Sequence, residues 1–136
     1  MNMSLTADNQ EMRRRVLIAE DDEITRELFT NLMKGLDGVE IVLVGDGREA
    51  LMQALTHHFD LIVTDQNLPE LTGDKLIRHL RASRNINSET KFMLMSASSL
   101  DELARQGVRI PHDCYMPKPI QPAVFIDAVM PFLAWE

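Results

Sequence analysis

Five short apolar segments recur along the chain, and a stretch with helical periodicity follows each of them. The segments cover residues 16–19, 39–44, 61–63, 92–95 and 114–116. Continuous apolar runs of this length are typical of strands that are buried on both faces of a parallel sheet. Because parallel strands need crossover connections, the intervening helices must cover both faces of the sheet. The pattern therefore predicts an α/β domain with a five-stranded, doubly wound parallel sheet.

Capping and helix-breaking residues indicate where the predicted helices begin and end. Ser99 and Glu102 have the spacing of a capping box, which begins a short fourth helix. Pro122 suits the first turn of the last helix, and we expect Pro131 to kink or stop that helix early because proline lacks a backbone donor. In the first helix, one buried stripe is predicted from apolar residues at steps of four, namely Ile24, Leu28, Leu32 and Leu36.

The composition excludes several classes of protein. With 136 residues, of which 45% are hydrophobic and 26% charged, the chain has the size and composition of one globular domain. It lacks an apolar run of about 18 residues, which predicts no membrane span. The formal net charge of −7 argues against nucleic-acid binding by this domain, because phosphate contacts need clustered Lys and Arg. The first residues lack the apolar core of a secretory signal, and a single cysteine fits a reducing compartment, so we expect a cytoplasmic protein.

Polar side chains stand at the carboxyl ends of four predicted strands, which is the edge where doubly wound sheets bind ligands. Any one of the acids among them could simply cap a helix, but their common position favours a shared site. Clustered carboxylates repel one another unless a cation lies between them, and oxygen ligands without His or Cys suit Mg²⁺. The residues are Glu20, Asp21 and Asp22 after the first strand, Asp65 after the third, Ser96 after the fourth and Lys118 after the fifth.

The isolated acid in this set has the properties of a nucleophile. A carboxylate beside Mg²⁺ can attack phosphorus and form an acyl phosphate. Asp65 stands alone after a strongly apolar strand, whereas the acidic group at residues 20–22 is better suited to hold the metal. The lysine and the strand-four hydroxyl would then take other phosphoryl oxygens.

Four segments of the chain resemble the receiver domain of two-component response regulators. They are VLIAEDDEITREL, LIVTDQNLPELTGDKLIRHLR, FMLMSAS and CYMPKPI. The resemblance covers residues 13–134 and leaves residues 1–12 as a predicted N-terminal extension. It implies a flavodoxin-like fold with strand order 2-1-3-4-5. It also implies a signalling phosphoprotein of a phosphorelay, with weak self-phosphorylation and autodephosphorylation activity, rather than an enzyme that acts on an external substrate.

The resemblance assigns the metal and phosphoryl chemistry to particular residues. Asp65 matches the phosphoaccepting aspartate, which also contacts Mg²⁺. Asp21 resembles the direct Mg²⁺ ligand, and Glu20 beside it acts through a metal-bound water. The backbone carbonyl of Asn67 is expected to supply a further ligand, and Lys118 matches the lysine that pairs with the phosphoryl group.

The resemblance also implies a conformational switch. Ser96 matches the switch hydroxyl and Tyr115 the switch aromatic, which turns inward when the hydroxyl moves toward phosphate and alters the face formed by helix four, strand five and helix five. The alternative for Tyr115 is a partly buried aromatic at the sheet edge. A cis bond is expected between Lys118 and Pro119.

Partners follow from the same resemblance. The phosphoryl donor would be a sensor histidine kinase or a histidine phosphotransfer protein, docked near Ile24, Thr25 and Pro119. The signal would pass to a downstream protein effector in trans, and the family allows a phosphorylation-dependent homodimer through the switch face. The sequence leaves open whether this is a stand-alone receiver or a piece of a longer regulator or hybrid kinase.

Two other functions compete with this hypothesis. One is a Mg²⁺-dependent phosphohydrolase, which needs a second acid two residues beyond the nucleophile as general acid, where this chain has Asn67. The other is a protein-binding module that works without phosphorylation. The connection from Gly107 to Tyr115 is longer than is usual in the family, and it adjoins the switch face. Its length predicts a short helix four with Pro111 in an extended loop.

Overall fold

A computed structural model describes residues 13–133; the predicted extension over residues 1–12 and position 134 of the predicted domain lie outside this range. Its strands are β1 (Arg14–Ala19), β2 (Val39–Val44), β3 (Leu61–Asp65), β4 (Lys91–Ser96) and β5 (Tyr115–Pro117). They form one parallel sheet in the order β2-β1-β3-β4-β5. The predicted five-stranded sheet and the flavodoxin-like order implied by the resemblance are therefore confirmed.

Helices cover both faces of the sheet, as the alternating pattern requires. They are α1 (Glu23–Met33), α2 (Gly47–Thr56), α3 (Gly73–Ala82), α4 (Leu100–Arg105) and α5 (Pro122–Leu133). Successive residues of a strand point to opposite faces. Val16 and Ile18 of β1 accordingly pack in one cluster with residues of α1 and α5, whereas Leu17 and Ala19 pack in another with residues of α2 and α3.

The buried stripe of α1 differs from the predicted one. Its buried residues are Phe29 and Met33, and Phe29 packs against Phe125 of α5 with ring centroids 4.9 Å apart. Ile24, at the start of the predicted stripe, is 77% exposed. A step of four residues exceeds the 3.6-residue helical turn, so a row at that spacing drifts around the helix and its first member faces away from the sheet.

Of the two outcomes expected at Pro131, the early stop is wrong, because α5 continues through this residue to Leu133, and the kink stays a prediction. Proline removes the hydrogen bond to the carbonyl four residues earlier, and its ring crowds that carbonyl. Near the end of a helix this loss is small beside the burial of three apolar side chains on the sheet side: Phe125, Val129 and Leu133.

The segment from α4 to β5 has the predicted short helix and extended loop. The helix α4 has six residues, and the Ser99–Glu102 capping box is present in both directions. Pro111 follows in extended backbone, and His112–Cys114 form a 3₁₀ turn. The fifth strand therefore begins at Tyr115, one residue later than predicted. Across residues 13–133, no helix has the length and apolar character needed to cross a bilayer.

The loop after β3 is held by the first turn of α2. The backbone N–H of Gly47 donates to the Pro69 carbonyl at 3.0 Å. A Cβ atom at Gly47 would lie 1.8 Å from the carbonyl oxygen of Leu71, which no backbone can accommodate without moving. This close approach explains why the first position of α2 is glycine.

Replacing Gly47 by alanine therefore tests the packing of this loop. We expect Gly47→Ala to lower the free energy of unfolding by at least about 2 kcal/mol, because the loop or the helix must shift. Gly35→Ala is the matched control, since a Cβ there meets no atom within 4 Å, and its effect should stay within about 1 kcal/mol. Urea unfolding of both variants measures the difference, and equal midpoints would contradict the clash.

Candidate functional site

Residues from four strands meet at the carboxyl edge of the sheet. Glu20 follows β1, Asp65 ends β3 and Ser96 ends β4, and all three side chains are buried. Lys118 follows β5, and its backbone N–H donates to the Ser96 carbonyl at 2.8 Å. The peptide bond between Lys118 and Pro119 is cis, the form that the resemblance implied. The parallel register thus brings together the strand-end residues singled out in the sequence.

One ammonium group connects the two buried carboxylates. Nζ of Lys118 lies 2.7 Å from Oδ2 of Asp65 and 2.9 Å from Oε1 of Glu20. Burial alone would lower the pKa of Lys118, but its hydrogen bonds to these two acids outweigh burial and raise the pKa above its ordinary value. Burial raises the pKa of Glu20, and hydrogen bonds from Lys118 and from the N–H of Asp22 offset only part of that rise.

Three carboxylates at this edge are close enough to share one cation. Oxygens of Glu20, Asp21 and Asp65 all lie within 4.8 Å of one another. Asp21 is exposed while the other two are buried, so the cluster opens toward solvent on one side. Oxygen donors without His or Cys are the set that Mg²⁺ prefers. The residues present therefore fit the ion predicted from the sequence.

Asp22 has a different role from the two acids before it. Its Oδ2 accepts hydrogen bonds from the N–H of Thr25 at 2.9 Å and from the Thr25 hydroxyl at 2.6 Å. These bonds cap the N-terminus of α1. Ile24 and Pro119 are exposed at the same edge of the sheet. Two of the three residues predicted to contact a partner therefore have exposed apolar surface, whereas Thr25 is half-buried.

The backbone of Asn67 approaches the Asp65 carboxylate. Its N–H donates to Oδ1 of Asp65 at 3.2 Å, while its side chain is exposed. The carbonyl predicted as a metal ligand belongs to the same residue. The contact with Asp65 is therefore made by the backbone of Asn67 and not by its side chain.

Ser96 and Tyr115 are linked through the backbone of one intervening residue. The hydroxyl of Ser96 accepts a hydrogen bond from the N–H of Ser98 at 3.0 Å. The Tyr115 hydroxyl donates to the carbonyl of Ser98 at 2.6 Å. The Tyr115 ring is half-buried and packs against the cluster of Leu94, Leu103 and Val108. A displacement of Ser98 would therefore change both contacts together.

The sequence analysis missed a polar pair beside the site, formed by buried Gln66 and half-buried Asp74. The amide of Gln66 exchanges two hydrogen bonds with Asp74: Oε1 accepts from the Asp74 N–H at 2.9 Å, and Nε2 donates to Oδ1 at 2.8 Å. Thr72 and Arg78 also donate to this carboxylate. Burial alone would raise the pKa of Asp74, but the hydrogen bonds from Gln66, Thr72 and Arg78 outweigh it and lower the pKa below 3.8. No periodic pattern relates two residues across a loop, so the sequence carried little signal for this pair.

The fold and the site define a flavodoxin-like α/β domain with an acidic cluster and a lysine at the carboxyl edge of its sheet. Known proteins match the sequence and the fold of this chain. Residues 16–130 match the family model of the response regulator receiver domain. The polar-differentiation response regulator DivK of Brucella ovis is 31% identical over 125 residues, which are 90% of this chain and 98% of that protein.

Two solved structures show the same fold. The chemotaxis response regulator CheY4 of Vibrio cholerae matches with a TM-score of 0.76 at 24% identity, over 89% of this chain and 99% of that one. The receiver domain of the sensor histidine kinase PA1611 of Pseudomonas aeruginosa, which has a magnesium ion in its active-site cleft, matches with a TM-score of 0.74 at 23% identity, over 89% and 98% of the two chains.

The chain therefore belongs to the response regulator receiver domain family of two-component signalling. Receiver domains are signalling proteins rather than classical enzymes, and they interact with histidine kinases and effectors.

The lowered pKa of Asp74 predicts an acid-side loss of stability. A carboxyl whose folded pKa is depressed stabilises the fold above its unfolded pKa, and this stabilisation is lost as the pH falls through the folded pKa. We expect the difference in unfolding free energy between wild type and Asp74→Asn to be constant from about pH 7 to pH 5 and to narrow below pH 3.8. Urea unfolding across this range measures it, and a gap that widens toward low pH would contradict the assignment.

Proposed function

We propose that this chain is a phosphorylation-activated receiver that accepts a phosphoryl group on Asp65. The donor is the phosphohistidine of a sensor histidine kinase or a histidine phosphotransfer protein. The observation that carries the proposal is the position of the Lys118 ammonium, 2.7 Å from Asp65 and 2.9 Å from Glu20, inside an acidic cluster that also includes Asp21. Lys118, together with a cation held by these acids, would supply the positive charge that stabilises an incoming phosphoryl group.

The residues that would hold Mg²⁺ are those that the resemblance assigned. Asp21 and Asp65 would bind through carboxylates, Asn67 through its carbonyl, and Glu20 through a water. When bound, the ion neutralises the charge of the phosphoryl oxygens and of the acids that surround them.

The chain's own residues then divide the reaction between them. A carboxylate oxygen of Asp65 attacks phosphorus, the bond from phosphorus to the donor's imidazole nitrogen breaks, and the imidazole leaves with its electron pair. The Asn67 N–H and the Lys118 ammonium hold the two Asp65 oxygens in place before the attack. Lys118 remains close enough to pair with a phosphoryl oxygen once the Asp65 carboxylate has become an acyl phosphate.

The output of the reaction is a switch at the face formed by α4, β5 and α5. The Ser96 hydroxyl accepts a hydrogen bond from Ser98, so its own proton can be donated to a phosphoryl oxygen. Movement of Ser96 toward that group would shift Ser98 and thereby the hydrogen bond to Tyr115. A dianionic group on Asp65 thus biases the position of the aromatic ring.

The remaining parts of the proposal concern partners. The donor is expected to dock on Ile24, Thr25 and Pro119, which follow the carboxyl ends of β1 and β5. The effector is a protein bound in trans, and a phosphorylation-dependent homodimer through the switch face is a second form of output. The N-terminal extension, the domain bounds of residues 13–134 and the cytoplasmic location stay predictions, as does the weak autodephosphorylation. A phosphohydrolase is disfavoured by Asn67, which cannot act as a general acid.

Phosphoryl uptake on Asp65 is the first prediction that follows from the proposed function. After incubation with acetyl phosphate and Mg²⁺, the intact mass of the wild type should increase by one phosphoryl group, and Asp65→Asn should show no increase because the nucleophile is gone. A chelator should also abolish the gain. Asp60→Asn is the matched control, since Asp60 lies at the opposite end of β3 and bonds to the backbone of Arg15.

The outcomes of this experiment separate the hypotheses. Uptake by Asp65→Asn at the wild-type rate would overturn the assignment of the phosphoacceptor. Absence of uptake by the wild type, from both acetyl phosphate and phosphorylated kinases, would favour a protein-binding module that works without phosphorylation.

The switch makes a second prediction. The chain has a single tyrosine, so its ring signals in an NMR spectrum belong to Tyr115 alone. Beryllofluoride, which mimics a phosphoryl group, should shift these signals in the wild type when Mg²⁺ is present. Ser96→Ala should still take up a phosphoryl group but lose most of the shift, whereas Ser83→Ala, at the C-cap of α3, should behave as wild type. An unchanged shift in Ser96→Ala would sink the proposed coupling.

A further inference from the structure

A buried amide follows the proposed phosphoacceptor and connects it to the next helix. Gln66 is 7% exposed and exchanges two hydrogen bonds with Asp74, which lies eight residues further along the chain. The orientation of the amide is fixed by chemistry, because the Asp74 N–H can only donate and its carboxylate can only accept. Carbonyl oxygen and amide nitrogen of Gln66 therefore each have one acceptable partner here.

This pair replaces the usual cap of the helix that follows. Thr72 stands at the N-cap of α3 but makes no side-chain hydrogen bond to a backbone N–H. Its hydroxyl donates instead to Oδ1 of Asp74 at 2.7 Å. The first N–H groups of a helix have no intrahelical acceptor. Gln66 supplies one from outside the helix and ties the start of α3 to the end of β3.

The backbone around Gln66 is held from both sides. Its N–H donates to the Met95 carbonyl at 2.9 Å, and its own carbonyl accepts from Leu68 at 3.2 Å and from Gly73 at 3.0 Å. A Cβ atom at Gly73 would lie 2.5 Å from the carbonyl oxygen of Asp65. The start of α3 is thus packed directly on the residue that precedes Gln66.

Asn67 lies in the loop between Gln66 and α3, both ends of which are held by these contacts. Its N–H contacts Oδ1 of Asp65 at 3.2 Å, and its carbonyl is the backbone ligand expected for Mg²⁺. The side chain of Asn67 is exposed and does not fix the backbone. The orientation of the Asn67 backbone therefore depends on Gln66, which precedes it, and on the loop that follows it and ends at α3.

We infer that Gln66 and Asp74 form a positioning pair that holds the backbone of Asn67 against the Asp65 carboxylate and so sets both Mg²⁺ affinity and the rate of phosphoryl uptake. The inference rests on the proposed function and deepens it. Neither residue touches the phosphoryl group or the ion, and both act through the peptide between Asp65 and Asn67. Groups that orient a ligand of a metal site affect metal affinity or activity by about 10- to 100-fold.

The test compares Gln66→Leu, Asp74→Ala and the double variant with a stability control. Thr90→Val is the control, because the Thr90 hydroxyl makes buried hydrogen bonds to Phe59 and Asn87 at the amino edge of the sheet. Mg²⁺ affinity is measured by titration of the backbone amide signals in NMR spectra, the rate of uptake by intact mass with acetyl phosphate, and stability by urea unfolding.

We expect Gln66→Leu to weaken Mg²⁺ binding and to slow uptake by about tenfold or more. Thr90→Val should change neither Mg²⁺ affinity nor the rate of uptake, even if its urea-unfolding midpoint falls as far as that of Gln66→Leu. The two residues act as a unit, so their effects should not add. The Mg²⁺ affinity and the uptake rate of the double variant should be no lower than those of the more impaired single variant. Should Gln66→Leu not fold, Gln66→Asn takes its place, because its shorter amide cannot span both contacts.

Two results would overturn the inference. One is wild-type Mg²⁺ affinity and uptake in Gln66→Leu or Gln66→Asn. The other is an equal loss in Thr90→Val, which would trace the effect to stability alone. Failure of the proposed function gives a different result, namely a wild type that takes up no phosphoryl group. In that case the Mg²⁺ titration of the variants still tests the role of the pair.

Discussion

The ammonium group of Lys118 lies between the carboxylates of Asp65 and Glu20, and much of the structure depends on this arrangement. Two carboxylates buried at one sheet edge repel each other, and each loses hydration energy that only a hydrogen-bonded cation restores. The lysine reaches both because β5 ends beside β4, where the Ser96 carbonyl holds its backbone N–H. The short fifth strand is therefore essential to the site, since it carries the positive charge to the acids.

Much of this site could be predicted from the sequence, because it depends on strand ends. An acid, a hydroxyl or a lysine that follows an apolar run lies at the carboxyl end of a buried strand. In a parallel sheet these ends lie at one edge, so the polar side chains come together there. Glu20, Asp65, Ser96 and Lys118 were found in this way, whereas the order of the strands came from the resemblance. Their chemical roles remain predictions that the proposed experiments test.

What the sequence analysis missed or misjudged depends on tertiary contacts. The Gln66–Asp74 pair forms across a loop, where no period of 2 or 3.6 residues links its members. The exposed position of Ile24 and the continuation of α5 through Pro131 were misjudged for a related reason. Local rules describe what a residue prefers, but the packing of Phe29 and Phe125 between α1 and α5 decides which face of each helix is buried.

The two parts of the switch face differ in how firmly they are held. The helix α5 keeps its full apolar side on the sheet, while α4 has six residues and depends on its capping box and on the packing of Leu103. Tyr115 connects α4 to the site through Ser98. Because a short, capped helix has few interactions to break, a small displacement at Ser98 can move α4 while α5 stays in place. Under the proposed function, the short α4 favours a switch in which the response to phosphorylation is concentrated in α4 and the Tyr115 ring.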